Sequence, residues 1–396
     1  MNDLIIIKAS NGLGRRTPSE DMICGLLVNG IAVTAGAQLG TGYRLKSVPD
    51  AVALGLDAEY DSANHLLVYE HISEFFRINP SGDLYIMLVA QTETFAEMCD
   101  KSEAGNAKKL LISAEGAIKR LGVAYNPTVA VTDFTATAAA ILKAQELAED
   151  EYVQHRPVSI LLEGKGYSAT ANPLFDFRAQ NSELVQVICG QALSVVNAHA
   201  DFASYAALGT ALGARSLAKV NEKFSWVEKF NVYGGSLTVS AIGGVALKTL
   251  SEGVLTSIDE KGAIFFRVHT GKAGLYFNNT HACTELTSDY AYSENSEVIN
   301  KAVRLIREAL LPKLDSPVLI DTETGKIPAQ VVKSWESAGR RAVEEMLRGE
   351  EVSGIDVYMD PDQDILATNE LAISFWVIPT GSASKINVTI GFTNPF

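Results

Sequence analysis

The end of the chain holds the feature that most restricts its fold. Ile386, Val388, Ile390 and Phe392 alternate strictly with Asn387, Thr389 and Gly391, the period-two pattern of a strand with one apolar face. The strand hangs on Pro379-Thr380-Gly381-Ser382-Ala383-Ser384, a tether of small, turn-prone residues. The start of the chain repeats the arrangement. Leu4-Ile5-Ile6-Ile7 reads as a strand buried on both faces, and Ser10 to Ser19 after it is a loop carrying Gly12, Gly14 and Pro18. A tethered strand has two destinations. It pairs within its own chain, here as a hairpin with Leu371 to Ile378, or its open edge recruits another chain.

Between these ends, helix and strand signals alternate, which predicts an α/β (α+β) fold. His65 to Ile78 carries Leu66, Tyr69, Ile72, Phe75 and Phe76 at helical spacing, and Asn79-Pro80 ends it. Ala136 to Leu147 is a second helix, with Asp133 or Thr135 as N-cap. Leu84 to Val89, Val158 to Leu162 and Leu184 to Ile188 read as strands. A second unit is expected to begin between Trp226 and Val245, where Gly234-Gly235 and Gly243-Gly244 punctuate the chain. It holds strands at Ala263 to Val268 and Val318 to Ile320 and helices at Val298 to Leu310 and Val331 to Leu347. The last helix gathers Val332, Trp335, Gly339, Val343 and Met346 on one face and Lys333, Glu336, Arg340 and Arg341 on the other. At 396 residues the chain exceeds one ordinary core, so two domains are expected.

Composition excludes more than it proposes. A net charge of -14 argues against nucleic acid or anionic membrane as the main partner. Cys24, Cys99, Cys189 and Cys283 are scattered, as buried thiols in a reducing cytoplasm would be. The start lacks a signal-peptide pattern, and no run is long and apolar enough to span a bilayer.

The chemistry-bearing motifs are near misses. Gly271-Lys272 and Gly325-Lys326 are followed by Ala and Ile, so neither supplies the hydroxyl of a phosphate-binding loop. Asp360-Pro361-Asp362-Gln363-Asp364 starts like a calcium loop, but Ile365 replaces the turn glycine and Leu371 the bidentate Glu. A solvated turn between strands is expected instead. Gly12 and Gly14 read as a hinge in preference to an anion cradle. His65 and His71, six apart, point to opposite sides of a helix and make poor joint ligands. No catalytic residue, cofactor or metal site is therefore expected.

The C-terminal third carries a resemblance. Gly262-Ala263-Ile264-Phe265-Phe266-Arg267-Val268 is followed by Gly274-Leu275-Tyr276-Phe277-Asn278, Asp289-Tyr290 and the helix Asn300-Lys301-Ala302-Val303-Arg304. Ala309-Leu310-Leu311-Pro312, Asp321, Gly325 and the closing Ile386 to Pro395 come next. In this order and spacing the succession resembles tail sheath proteins of contractile phages and phage-tail-like particles. The stretch Glu74-Phe75-Phe76-Arg77-Ile78-Asn79-Pro80 resembles a sheath-like prophage family.

The resemblance implies a structural subunit, not an enzyme. It would polymerise helically around a tail tube and contract to drive that tube through a cell envelope. Its partners would be itself, the tube protein, and baseplate and tail terminator proteins, in a virion or phage-tail-like particle assembled in the bacterial host cytoplasm. Residues 1–20 would form an N-terminal arm, 21–240 an outward-facing inserted α/β domain, and 241–396 the sheath assembly domain, which the N-terminal segment joins. Leu4, Ile5, Ile6 and Ile7, and Ile386, Val388, Ile390 and Phe392 (within about 385–396), would be inter-subunit donor strands on hinges at Gly12, Gly14 and Gly381. Lys333, Arg340 and Arg341 would face the tube. An α/β enzyme of other chemistry, or a different self-assembling tube or shell component, are the competing readings.

Overall fold

The structure, a computed structural model, describes residues 20–392. The chain parts into two compact units. One holds the residues up to 219 together with 224–296; the other holds 220–223 together with the residues from 297 onward.

The first unit is built on a six-stranded sheet. Its strands are β1 (Ile23–Gly30), β2 (Gly42–Leu45), β3 (Asp83–Ala90), β4 (Arg120–Ala124), β5 (Ser159–Glu163) and β6 (Val185–Ile188), in the order β2-β3-β1-β4-β5-β6. All pairings are parallel except β2 with β3. Every residue of β1 is buried. A parallel strand covered on both faces needs no alternation, which is why Ile23-Cys24-Gly25-Leu26-Leu27-Val28 is a continuous apolar run. Helices Val68–Ile78, Asn106–Ser113, Thr135–Val153 and Leu208–Leu217 pack on this sheet.

The tightest helix pair is Val68–Ile78 against Leu208–Leu217. Gly209 and Gly213, one turn apart, let the two backbones meet. A Cβ on Gly209 would lie 2.2 Å from the His71 carbonyl oxygen, and one on Gly213 would lie 2.8 Å from that of Phe75. Smaller elements complete the unit: the three-stranded β7 (Gly190–Ala192), β8 (Ser240–Ile242) and β9 (Val245–Ala246), and the hairpin of β10 (Phe266–His269) and β11 (Lys272–Phe277). Gly271, at φ 83°, makes the β10–β11 turn.

The second unit is smaller. Helix Ala329–Arg348 packs on a two-stranded antiparallel sheet of β12 (Val352–Tyr358) and β13 (Ser374–Pro379). Val298, Ala302, Val343, Met346, Val352, Ile355 and Val357 form its core, with Val220 contributed by the short separate segment. Gly339 is small because the Phe375 ring lies over it; a Cβ there would stand 2.5 Å from Cζ.

Several expectations change. The compact units part after residue 296, within helix Ser293–Leu310, and not near 240: β8 to β11 fold with the first unit. The helix expected from His65 to Ile78 starts at Val68. Ala58–Asn64 ends at His65 in the left-handed conformation (φ 52°), and Val68–Ile78 follows. The 263–268 strand begins at Phe266. Val318 to Ile320 forms no strand, and neither does Ile386 to Ile390. The turn at Asp360–Asp364 lies between β12 and β13 as expected; Asp364 caps the helical turn Ile365–Thr368, and Lys326 pairs with Asp362 at 2.8 Å.

Candidate assembly surfaces

The closing segment is the most exposed apolar stretch among the described residues. The second unit holds the chain as far as Thr380, where Asn221 Nδ2 donates to Thr380 Oγ1 (3.1 Å). From Gly381 to Phe392 every residue is exposed. Ile386, Val388, Ile390 and Phe392 are 78, 75, 91 and 111% exposed. The alternation that promises a half-buried strand is therefore present, but no strand among the described residues covers it. The expected hairpin with Leu371 to Ile378 is not formed: β13 pairs with β12, and Ile386 to Ile390 takes no strand conformation beside it. Gly381 has open space around a would-be Cβ and is not among the positive-φ glycines, so nothing in this conformation demands glycine. Leu4, Ile5, Ile6, Ile7, Gly12 and Gly14 lie outside the described residues.

The same unit holds an incomplete sheet. Among the described residues, neither outer edge of the β12–β13 pair carries a further strand. Tyr358, Trp376 and Ile378 on it are exposed. A two-stranded sheet is marginal alone, and open edges recruit strands. An unpaired alternating strand and an open-edged sheet are complementary in chemistry.

The charged face of helix Ala329–Arg348 is solvated. Lys333 Nζ meets Glu336 at 2.7 Å, Arg340 approaches Asp356 only to 3.9 Å, and Arg341 Nε donates to the Ser337 carbonyl at 3.2 Å. All three cations are exposed. Such pairs are worth little and exchange readily for a partner's groups.

In the first unit, the carboxyl ends of the parallel strands are where an α/β enzyme would place its chemistry. Here their polar groups tie down loops. Asn29 Nδ2 donates to the Ala90 carbonyl (2.9 Å) and Asn29 Oδ1 accepts from the Asn126 amide (3.0 Å). Glu163, fully buried, accepts the amides of Tyr125 (2.8 Å) and Ala206 (2.9 Å). Away from the strand ends, Glu74 of helix Val68–Ile78 takes a bidentate bond from Arg77 and a third from Thr210 Oγ1 of helix Leu208–Leu217 (3.0 Å). All four cysteines are buried thiols outside any disulfide, and burial pushes the Cys99 and Cys283 thiols up to about 12. No helix among the described residues is long and apolar enough to cross a membrane.

One cluster escaped the sequence reading. His65, His199 and Asp201 meet at the surface of the first unit, although His65 and Asp201 are 136 residues apart. Histidine spacing within one helix gave no signal for it.

Comparison with known proteins places the architecture. Two family models match, the DUF2586 N-terminal domain over residues 1–281 and the DUF2586 C-terminal domain over 289–396. No curated protein matches the sequence. Among solved structures, the chain is similar to a chain of the anti-feeding prophage baseplate (TM-score 0.65, 15% identity, covering 100% of this chain and 99% of that one). It is similar to the anti-feeding prophage helical sheath in its contracted state (TM-score 0.63, 14% identity, 98% of each chain). It is also similar to the sheath tail protein of Desulfitobacterium hafniense (TM-score 0.53, 10% identity, 96% of this chain and 100% of that one). The expected fold stands: the chain has the α/β fold of contractile sheath proteins over essentially its whole length.

Proposed function

The chain belongs to the DUF2586 family, and from that premise we propose that it is the sheath subunit of a contractile, phage-tail-like particle. Copies polymerise helically around a tail tube, and strand exchange holds neighbours together while the lattice shortens. The observation that carries this reading is the closing segment: a strand-patterned stretch, exposed from Gly381 to Phe392, in a unit whose sheet carries no further strand on either edge among the described residues.

Ile386, Val388, Ile390 and Phe392 act as the donor face, and Leu4 to Ile7 as a second arm. Burying the four closing side chains stabilises the junction by about 6–12 kcal/mol. Ordering about seven residues costs roughly 7–14 kcal/mol of backbone entropy. One arm alone therefore binds weakly, and each subunit needs several junctions acting together. Gly381, with Gly12 and Gly14, supplies the rotation that lets junctions persist as subunits turn. Lys333, Arg340 and Arg341 meet the tube. Baseplate and terminator proteins close the two ends, and assembly takes place in the host cytoplasm. The loop-closing bonds of Asn29 and Glu163 support a scaffold in place of a catalytic crevice.

Truncation after Pro379 tests the proposal. The shortened chain should remain folded by circular dichroism and stay monomeric under electron microscopy with tube protein present. Sheath-like tubes formed by that truncation would overturn it.

A further inference from the structure

We propose that His65, His199 and Asp201 form a binding site for a divalent transition metal of the zinc class on the surface of the first unit. The Nδ1 atoms of both histidines lie 3.2 Å from the same oxygen, Asp201 Oδ2. A tetrahedral ion with bonds of 2.0–2.1 Å holds its ligands about 3.3 Å apart, so both separations already match an edge of that tetrahedron. The imidazole rings are 3.9 Å apart between centroids.

The local backbone builds this arrangement. His65 is the left-handed residue that ends helix Ala58–Asn64, which turns its side chain off the helix line. His199 opens the helical turn Ala200–Phe202, and its Nδ1 accepts the Asp201 amide at 3.3 Å. As an acceptor there, that nitrogen has no proton for the carboxylate beside it. A metal at His199 Nδ1 would take over the lone pair used in that long bond, with Asp201 Oδ2 3.2 Å away as the neighbouring donor.

Two imidazoles and one carboxylate select zinc, nickel or copper over calcium or magnesium, which take mainly oxygen ligands. The three side chains are between 39 and 52% exposed, so a fourth position stays open to water or to a donor from another molecule. The bound ion would join the turn after helix Ala58–Asn64 to the turn at Ala200–Phe202. The site needs no assembly, so it stands or falls apart from the sheath reading.

The test is calorimetric titration of the tag-free, full-length chain with zinc chloride, repeated with cobalt to read the visible bands of a tetrahedral site. Wild type should bind one equivalent. His65→Ala and His199→Ala should each weaken binding by at least about tenfold and abolish the cobalt bands. His155→Ala, at an exposed histidine outside the cluster, should leave both readouts unchanged. Circular dichroism shows whether each variant is folded, and these exposed positions should tolerate the changes. No zinc binding by wild type, or unaltered binding by the folded double variant His65→Ala/His199→Ala, would overturn the assignment.

Discussion

The two units handle their strands in opposite ways. In the first, β1 sits between β3 and β4, every residue of it is buried, and the polar groups at the strand ends are bonded to neighbouring loops. In the second, two strands carry no further strand on either edge among the described residues, and the chain runs on into a strand-patterned segment that none of those residues covers. The first unit buries its central strands and much of its apolar surface internally. The second leaves unpaired edges and an apolar face, a surplus that another copy can complete. Stability should therefore be a property of the first unit, and assembly a property of the second.

The sharpest break in that contrast comes from two glycines. Gly209→Ala drives a methyl group to within 2.2 Å of the His71 carbonyl oxygen, a backbone atom that cannot swing aside. It should destabilise the first unit by about 3 kcal/mol or more, read by urea denaturation. Gly381→Ala meets nothing within 4 Å. It should shift folding stability by less than about 0.5 kcal/mol. Equal losses at the two positions would erase the contrast.

Next comes a pH effect confined to the first unit. His71 is buried, its Nδ1 accepts the Gly209 amide at 3.2 Å, and its ring lies 5.9 Å from that of Tyr205. Burial pushes the imidazole down to about 4; Glu163 and Glu74 oppose the shift and Lys165 adds to it. The unfolded imidazole takes a proton near 6.5, so the unfolded state binds the extra proton between those values. Its contribution is present above pH 6.5 and is lost as pH falls towards 4, by up to about 3 kcal/mol. Asp61 runs the other way. Burial raises its carboxyl to about 7, so its contribution fades as pH rises from the ordinary carboxylate range to 7. The readout is therefore the difference between wild type and His71→Asn across pH 4 to 7, which should grow as pH rises. A flat difference would remove His71 from the account.

The smallest expected effect on folding is at the charged helix face. Arg340→Glu with Arg341→Glu breaks only exposed contacts, and unfolding should move by less than about 0.5 kcal/mol. Tube-templated assembly, followed by electron microscopy, should fall at the same time. Unchanged assembly would take this face away from the tube.

Sequence pattern reached unevenly into this molecule. Helix Ala329–Arg348 was legible because its burial follows a 3.6-residue period, with Val332, Gly339, Val343 and Met346 inside. β1 was not read, although its apolar run is of the kind that marked β5; Cys24 and Gly25 dilute the β-branched signal at its start. β4, only five residues long, gave little more signal. β12 was missed although Val352, Ile355 and Val357 are buried and Ser353, Asp356 and Tyr358 exposed; Gly354 interrupts the apolar alternation. The closing strand pattern was legible, whereas its lack of a partner among the described residues is a tertiary fact. The glycine pairs near residue 240 mark turns inside the first unit: Gly243 and Gly244 both adopt left-handed φ values between β8 and β9. The His65–His199–Asp201 cluster joins distant segments through the fold, and local spacing carries no trace of it.

The central claim is that the exposed closing segment is a donor strand for another subunit. Val388→Asp with Ile390→Asp tests it directly, because a carboxylate tolerated in water is costly inside a sheet junction. The double variant, purified beside wild type and imaged with tube protein, should unfold at the wild-type temperature and form no sheath. Sheath of normal length from this variant would contradict the account.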